Sequence, residues 1–189
     1  MDLNDQQNHW DRTFVKSEEL FGAEASEPAK MAADLFRRES TKGILELGGG
    51  QGRDTLFFAG AGFHVHVLDY ARNAVLTIGE KAARIGLSAR VRTGQHDVRN
   101  PLPFGDGIFD ACFSHMLYCM ALTTAELESL SRETRRVLRP GGLNIYTVRH
   151  TGDPHYGMGI HRGEDMYEMA GFIVHFFSRK KVMDLSDGY

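Results

Sequence analysis

One stretch of the chain, residues 44–54 (ILELGGGQGRD), limits the possible folds more than any other. An apolar run carries an acid, breaks into glycines and resumes as a helical pattern. A buried parallel strand that turns sharply into a helix gives this pattern. Glycines leave room for a ligand against the backbone, and the unpaired N–H groups at the start of the helix point toward it. The stretch therefore predicts a ligand site on a strand–helix turn.

Strands and helices alternate along the rest of the chain. We expect strands at 43–47, 63–69, around Val91, 108–115 and 143–148, and helices at 29–38, 53–60, 71–85 and 123–138. This alternation predicts an α/β fold with a doubly wound, mostly parallel sheet and helices on both faces. Ligands in such sheets bind at the carboxyl ends of the strands.

Length and charge narrow the functional classes. A chain of 189 residues suits a single domain, 1–189, with a full core at 43–149. The net charge of −3 does not favour non-specific binding to nucleic acid or to an anionic membrane. The polar, acidic start is no secretory signal and no apolar run is long enough to span a membrane, so we expect a cytoplasmic protein. Cys112 and Cys119 are expected to be buried free thiols.

The two ends of the chain are harder to interpret. Residues 1–40 predict a helical arm, with Trp10 and Phe14 at helical spacing, and a packing arm and a lid over the ligand site fit equally well. Residues 150–164 predict a long loop, 172–177 an extended segment, and Ser178 the cap of a short helix. We expect 150–189 to lie on the acceptor side of the site.

The glycine turn does not match the dinucleotide fingerprint. That motif needs a third glycine at position 53, where the chain has Arg53. Acids instead follow or end three predicted strands, at Glu46, Asp69 and Asp97. Carboxylates accept hydrogen bonds from hydroxyls and amines but repel phosphates. The pattern favours a nucleoside ligand with no phosphate and some positive charge.

Five motifs occur in order between residues 43 and 148: ELGGGQG at 46–52, Asp69, His96-Asp97, PFxDxxFD at 103–110 and LRPGG at 138–142. Through them the chain resembles the class I S-adenosylmethionine-dependent methyltransferases, in particular the small single-domain members of the methyltransferase type 11 kind. The resemblance implies a Rossmann-like sheet, S-adenosylmethionine as cofactor and S-adenosylhomocysteine as product. Such a sheet usually ends in two further strands. Too little chain follows Ser178 to supply them, so we expect incomplete C-terminal strands, whether the domain is trimmed or the chain truncated.

The same resemblance implies a set of cofactor-binding residues. The glycines would approach the methionine part of the cofactor, Glu46 would lie near its amino group, Asp69 would take the ribose hydroxyls, and Asp97 would accept from the adenine amine. Tyr70 and His96 would flank the adenine, and Ser114 would line the methionine end. The full expected set is Glu46, Gly48, Gly49, Gly50, Gly52, Asp69, Tyr70, His96, Asp97 and Ser114.

The acceptor side is less specific. The resemblance places His115 toward the transferred methyl group, and the expected catalytic set is His115, His150, Tyr118 and Tyr156, with His155 as a further candidate. The histidines of the 150–164 loop also fit a metal site or a plain loop. His64 and His66 share a strand face, but we expect no metal there because satisfied histidines are far commoner.

The expected activity is in-line methyl transfer to a small-molecule acceptor, with nucleic acid disfavoured as substrate. An oxygen or protonated nitrogen acceptor would need a base, and His115 or His150 could supply it. Two alternatives stay open: a non-catalytic S-adenosylmethionine-binding protein and, less favoured because of Arg53, a nicotinamide-dependent oxidoreductase. The acceptor itself and the oligomeric state do not follow from the sequence.

Overall fold

The computed structural model describes residues 5–17 and 19–189. Its helices are α1 (Gln6–Lys16), α2 (Glu27–Arg38), α3 (Arg53–Gly60), α4 (Arg72–Arg84), α5 (Thr124–Val137) and α6 (Arg179–Leu185). Its strands are β1 (Gly43–Leu47), β2 (His64–Asp69), β3 (Val91–Gln95), β4 (Phe109–His115), β5 (Leu138–Thr147), β6 (Ile160–Gly163), β7 (Met166–Met169) and β8 (Phe172–His175).

The first five strands form one parallel sheet in the order β3-β2-β1-β4-β5. Strand β1 lies at its centre, paired on one side with β2 and on the other with β4. The order of the strands switches sides at β1, with β2 and β3 on one side of it and β4 and β5 on the other. The carboxyl ends of β1 and its neighbours therefore border a crevice at one edge of the sheet. The predicted Rossmann-like α/β sheet is confirmed.

Alternate residues of the central strands pack against the two helical layers. Ile44 and Val65 join α2, α3 and α4 in one apolar cluster. Leu45 and Leu68 lie on the opposite face, in a second cluster with α5 and α6. This burial on both faces explains why the strands show near-continuous apolar runs rather than alternation.

Helix starts are capped as the sequence indicates. The Ser26 hydroxyl accepts a hydrogen bond from the Ala29 N–H at the start of α2, and Thr123 and Glu126 form a capping box on α5. Ser178 caps α6 in the same way, through the Lys181 N–H. Strand β5 begins at Leu138, earlier than expected, because residues 138 and 143–147 all pair with β4 around a bulge.

The C-terminal region corrects the expectation of a long loop at 150–164. Strands β6, β7 and β8 form a separate antiparallel sheet, and β6 occupies the end of the predicted loop. Glu164 and Asp165 make the turn between β6 and β7 with φ of 51° and 62°. Strands of only four residues leave little periodic signal, so the sequence did not indicate them. The five-stranded sheet ends at β5 within the described residues.

Candidate active site

A cavity of about 680 Å³ opens at the carboxyl ends of β1 to β4. Its volume lies within the range usual for small-molecule sites. Helix α1 covers it, with Gln6, Trp10 and Phe14 among the lining side chains. The segment from Glu19 to Ala25 continues this cover along the rim. The part of the N-terminal arm that the structure describes therefore lies over the cavity, and we call residues 5–17 and 19–25 the lid.

The glycine turn forms the floor of the cavity because its backbone leaves no space for side chains. Gly48 has φ of +74°, and a Cβ at Gly49 would lie 2.3 Å from Cγ2 of Val67. Both conditions exclude larger residues. Gly50 donates its N–H to Oδ2 of Asp69 over 2.9 Å, which ties the turn to the end of β2.

Glu46 is the most perturbed acid of the site. Its side chain is 3% exposed, and its Oε2 has no hydrogen-bond partner in the described part of the chain. Burial raises the pKa of Glu46 to about 8; the nearby Thr55 hydroxyl lowers this pKa by less, and the charges of Asp54 and Asp69 raise it by smaller amounts. A buried carboxyl without a donor is unfavourable, and a cationic donor in the cavity would relieve this cost.

Asp69 ends β2 at the border of the cavity. Its two oxygens accept the N–H groups of Gly50 and Ala71, at 2.9 Å each. Burial raises the pKa of Asp69 to about 6 in spite of these hydrogen bonds. The neighbouring Tyr70 also lines the cavity, and its backbone carbonyl accepts the side-chain amide of Gln7 from the lid over 2.7 Å.

Asp97 follows β3 and also lines the cavity, but it is already paired. Arg99 Nε lies 3.0 Å from each carboxylate oxygen, and one terminal nitrogen lies 2.6 Å from Oδ2. Burial raises the pKa of Asp97, but the Arg99 hydrogen bonds and charge outweigh it and the net shift is downward. Asp97 is thus an ionised, fixed acceptor, with His96 beside it in the cavity lining.

Two walls of different character face each other in this cavity. The polar wall consists of Glu46, Gly48, Gly49, Gly50, Asp69, Tyr70, His96 and Asp97. The apolar wall consists of Trp10, Phe14, Met116, Leu117, Met120, Ala121 and Leu122. The polar wall is built on the ends of β1, β2 and β3, whereas the apolar wall combines α1 with the segment that follows β4.

His115 lies where the two walls meet, at the end of β4. Its Nδ1 lies 2.8 Å from the Thr147 hydroxyl on the adjacent strand β5. Burial lowers the pKa of His115, while Asp54 raises it and Arg53 lowers it by smaller amounts. The ring is therefore neutral at physiological pH and can accept a proton.

Three glutamine side chains hold the lid in place. Gln6 binds β8 and the residue before it, donating to the Gly171 carbonyl at 2.9 Å and accepting from the Ile173 N–H at 3.2 Å. Gln7 binds Tyr70, as described above. Gln51, inside the glycine turn, donates to the carbonyls of Phe14 and Ser17 and accepts the Leu20 N–H at 2.9 Å. The lid therefore joins the glycine turn to the antiparallel sheet.

Three expected site residues lie in the core or under the turn instead of at the cavity. Tyr118 is fully buried, stacks on Tyr146 with ring centroids 4.4 Å apart, and shares a hydrogen bond with Thr134. Its hydroxyl cannot reach an acceptor. Ser114 is also fully buried and does not line the cavity, and its hydroxyl has no hydrogen-bond partner among the described residues. Gly52 begins α3 as its N-cap and packs against Ile78 below the cavity floor.

Two further expected catalytic residues lie outside the cavity. His150 sits beyond β5, where its Nδ1 accepts the N–H of Gly152. Tyr156 is 37% exposed and donates to Asp165 at the β6–β7 turn. The segment that contains His150 and Tyr156 folds against the antiparallel sheet, so these two residues lie outside the cavity where they were expected. His155 pairs with Asp153 on the surface. Within residues 5–17 and 19–189, no three acidic, histidine or cysteine side chains cluster to hold a metal ion.

Sequence reasoning missed the residues that shape the apolar wall and hold the lid. No sequence signal marked Met116, Leu117 and Met120, since a short apolar run carries no sign of which side faces a cavity. Gln51 was visible as a polar residue between glycines. Gln6 offered no local signal, because its partners lie more than 160 positions away in the chain.

Comparison with known proteins was made on both sequence and structure. A family model described as "Methyltransferase domain" matches residues 44–142. An uncharacterized methyltransferase of Mycolicibacterium gilvum is 31% identical over 163 residues, which cover 78% of this chain and 60% of that protein. Sterol 24-C-methyltransferase ERG6B of Gibberella zeae is 35% identical over 105 residues, covering 53% of this chain and 26% of that protein. The chain thus spans only part of the length of these curated relatives.

Solved structures share the fold at low sequence identity. The 1,6-didemethyltoxoflavin-N1-methyltransferase of Burkholderia thailandensis, solved with 1,6-didemethyltoxoflavin and S-adenosylhomocysteine, is 20% identical with a TM-score of 0.71. The match covers 95% of this chain and 73% of that one. The CcbJ methyltransferase of Streptomyces caelestis is 22% identical with a TM-score of 0.64, covering 77% of this chain and 57% of that one. At these identities the likeness concerns the fold.

Proposed function

The chain belongs to the family of class I S-adenosylmethionine-dependent methyltransferases, and from that premise we propose that it transfers a methyl group from S-adenosylmethionine to a small-molecule acceptor. The cofactor would lie along the polar wall, with S-adenosylhomocysteine as the product. The acceptor would occupy the apolar wall beneath α1.

The unpartnered carboxyl of Glu46 carries the assignment of the cofactor. A fully ionised phosphate group would offer the buried carboxyl oxygens of Glu46 and Asp69 no donor, and it would be repelled by either carboxyl once that carboxyl is ionised. An ammonium group in the cavity would supply both the missing donor and a compensating charge for Glu46 Oε2. S-adenosylmethionine has such a group on its methionine part, so the polar wall fits it.

The rest of the polar wall fits the nucleoside part of the same cofactor. Asp69 and Asp97 are acceptors at the ends of β2 and β3, and Tyr70 and His96 offer ring faces beside them. The glycines allow the turn to pack closely against Val67, Ile78 and Leu117, and their backbone lines the cavity without adding side chains. These roles of individual residues are part of the proposal.

The apolar wall favours a small, largely apolar acceptor. It contains two methionines, whose flexible side chains adapt to irregular ligands and contact aromatic rings favourably. The Burkholderia enzyme of the same fold was solved with 1,6-didemethyltoxoflavin, which is in keeping with a small-molecule acceptor here. The net charge of −3 gives no field that would attract nucleic acid.

When bound, S-adenosylmethionine supplies a sulfonium methyl group that a nucleophile displaces in line. The protein contributes mainly alignment, which can be worth about 7–11 kcal/mol in favourable cases. The lid, fixed by Gln6, Gln7 and Gln51, excludes water and closes the cavity over both ligands. His115 is the titratable group positioned to take a proton from an acceptor that must lose one.

Calorimetric titration with S-adenosylhomocysteine tests this proposal. The wild type should bind it, and Glu46→Gln should weaken binding about 10- to 100-fold, because a charge-assisted hydrogen bond to the ammonium group is lost. Glu128→Gln is the matched control, since Glu128 is exposed on α5 and does not line the cavity. It should leave the affinity unchanged.

Three outcomes would count against the proposal. Binding of NAD in place of S-adenosylhomocysteine would support an oxidoreductase, and equal affinities for the Glu46 and Glu128 variants would remove Glu46 from the site. Tight binding without methyl transfer to any acceptor in a broad screen would favour a non-catalytic S-adenosylmethionine-binding protein.

A further inference from the structure

The ends of β4 and β5 bring together three features that the proposed function does not yet use. Thr147 lies directly opposite His115 in the β4–β5 register, so their side chains meet at the same edge of the sheet. The Thr147 hydroxyl lies 2.8 Å from Nδ1 of His115. Met116, which follows His115, has φ of +66°, a conformation that residues other than glycine seldom adopt.

Thr147 stabilises this unusual turn as well as the ring. The Met116 N–H points at both Thr147 oxygens, 3.0 Å from the hydroxyl and 3.2 Å from the backbone carbonyl. The turn aims the chain after His115 into the apolar wall. A backbone conformation as strained as that of Met116 persists only where the surrounding contacts hold it, and here the hydrogen bonds to Thr147 hold it.

The other ring nitrogen of His115 has no protein partner. Nδ1 is held by Thr147, and no hydrogen bond to Nε2 comes from residues 5–17 or 19–189. Because His115 lines the cavity, Nε2 is the nitrogen left for a ligand. Which nitrogen carries the proton therefore decides whether the ring offers the ligand a lone pair or an N–H group.

We propose that Thr147 is a positioning residue whose hydroxyl accepts the Nδ1–H of His115, so that the unprotonated Nε2 faces a neutral acceptor and takes its proton. This inference rests on the proposed function. The Thr147 oxygen has two lone pairs, and the Met116 N–H uses one of them, which leaves the second for Nδ1–H. A sulfonium cation in the cavity favours the same tautomer, because it attracts a lone pair and repels an N–H.

The proton transfer balances without a further reactant. The acceptor would lose a proton from nitrogen, oxygen or sulfur as that atom gains the methyl group, and Nε2 of His115 would bind the proton. The methyl–sulfur bond would break with its electron pair left on sulfur, so that the sulfonium charge is lost and S-adenosylhomocysteine is the leaving group. The ring becomes an imidazolium, and it returns the proton to solvent once the products leave. The methylated acceptor departs neutral.

The apolar wall explains why the acceptor enters uncharged. The wall itself is apolar, and the basic residues elsewhere in the cavity lining already have partners: Lys30 pairs with Glu27, Arg53 with Asp54 and Arg99 with Asp97, and Lys81 donates to the Gln51 carbonyl. The charged neighbours of His115 are Arg53 and Asp54 on α3, and these two pair with each other at 3.1 Å. A neutral acceptor with a weakly acidic N–H, O–H or S–H is the chemical class that such a wall and such a base accommodate.

Nitrogen-15 NMR of histidine-labelled protein saturated with S-adenosylmethionine tests the inference without an acceptor. The wild type should show Nδ1 protonated and Nε2 unprotonated above the pKa of His115. Thr147→Val removes the hydroxyl at nearly constant shape and should give a mixture of tautomers. Thr147→Ser keeps the hydroxyl and should restore the wild-type tautomer, a rescue that a purely structural role of the threonine would not require.

A second measurement locates the ring relative to the methyl group. The pKa of His115 should be lower with S-adenosylmethionine than with S-adenosylhomocysteine, because only the former has the sulfonium charge that disfavours an imidazolium nearby. Equal pKa values with the two ligands would contradict this placement. An Nε2–H tautomer in the wild type, or identical spectra for the valine variant, would overturn the role of Thr147.

Binding is measured in the same samples, which separates this inference from the proposed function. Absence of S-adenosylmethionine binding by the wild type would contradict the methyltransferase assignment itself. Normal binding with the wrong tautomer would contradict the role of Thr147 and leave the assignment intact. If Thr147→Val fails to fold, the tautomers of the wild type and Thr147→Ser still decide the result.

Discussion

The polar wall and the apolar wall of the cavity are held in place by different means. The polar wall rests on the ends of three paired strands, so hydrogen bonds between backbones set the positions of Glu46, Asp69 and Asp97. The apolar wall depends on a helix that crosses the cavity and on side-chain contacts with a separate small sheet. Trp10 of that helix, for example, packs on Phe172 of β8 with ring centroids 4.7 Å apart.

This difference indicates how the two ligands are controlled. A wall built on a sheet changes little when surface residues change, so it suits a constant, charged cofactor. A wall held by side-chain contacts can vary with few substitutions, so it suits an acceptor that differs between related enzymes. Variants directed at one wall should therefore leave the other nearly unaffected.

The largest expected effect concerns the buried charge in the polar wall. In the unfolded chain Glu46 titrates near 4.5, whereas in the folded protein burial raises its pKa to about 8. Between these values the folded state holds the proton more tightly. The stability that this group contributes is therefore fully present below pH 4.5 and is lost as the pH rises through 8.

Urea unfolding of the ligand-free protein at pH 5 and pH 8 measures this effect. The wild type should lose about 3 kcal/mol of unfolding free energy from Glu46 over that range, at about 1.4 kcal/mol per pKa unit. Glu46→Gln should lack this loss, while the Glu128→Gln control keeps it. Asp69, whose pKa burial raises to about 6, contributes in the lower part of the same window in all three proteins. Parallel pH profiles for the two variants would refute the assignment.

A smaller effect is expected at the lid, where Gln6 binds the antiparallel sheet and its neighbour Gln7 binds the polar wall. Gln6→Ala removes the contacts of α1 with Gly171 and Ile173 and should make the α1 amides exchange with solvent about tenfold faster. Affinity for S-adenosylhomocysteine should stay within about twofold, because the polar wall keeps its partners.

Gln7→Ala is the matched variant at the other wall. Its side chain donates to the Tyr70 carbonyl, so its loss should weaken S-adenosylhomocysteine binding about threefold. Hydrogen exchange and calorimetry on both variants make the comparison. Identical effects of the two substitutions would show that the walls are not independent.

The smallest effect is expected at Tyr118, which lies behind both walls. Tyr118→Phe removes the hydroxyl that bonds Thr134 and keeps the stacking on Tyr146, so it should cost about 1 kcal/mol of stability. Chemical unfolding measures this loss, and methyl-transfer and binding assays should show no change. A large loss of methyl transfer with normal stability would place Tyr118 back in the active site.

Much of the polar wall could be predicted from the sequence because its signals are local. The glycine turn, the acids near the ends of β1, β2 and β3, and the position of His115 at the end of β4 all depend on a strand ending where the apolar run ends. Parallel strands in one sheet then bring these ends together. Gly52 and Ser114 were expected at the cavity but do not line it, because spacing alone does not tell which side of a turn or strand faces the cavity.

The apolar wall and the lid were decided by the tertiary structure. The sequence of the N-terminal arm predicted a helix but not its position. Hydrogen bonds to Gly171 and Ile173, at the other end of the chain, determine that position. The antiparallel sheet left no periodic signal, so His150 and Tyr156 could not be separated from the site before it was seen. Local sequence determined the glycine turn at the floor of the cavity. Long-range contacts determined what covers it, because their partners cannot be read from neighbouring residues.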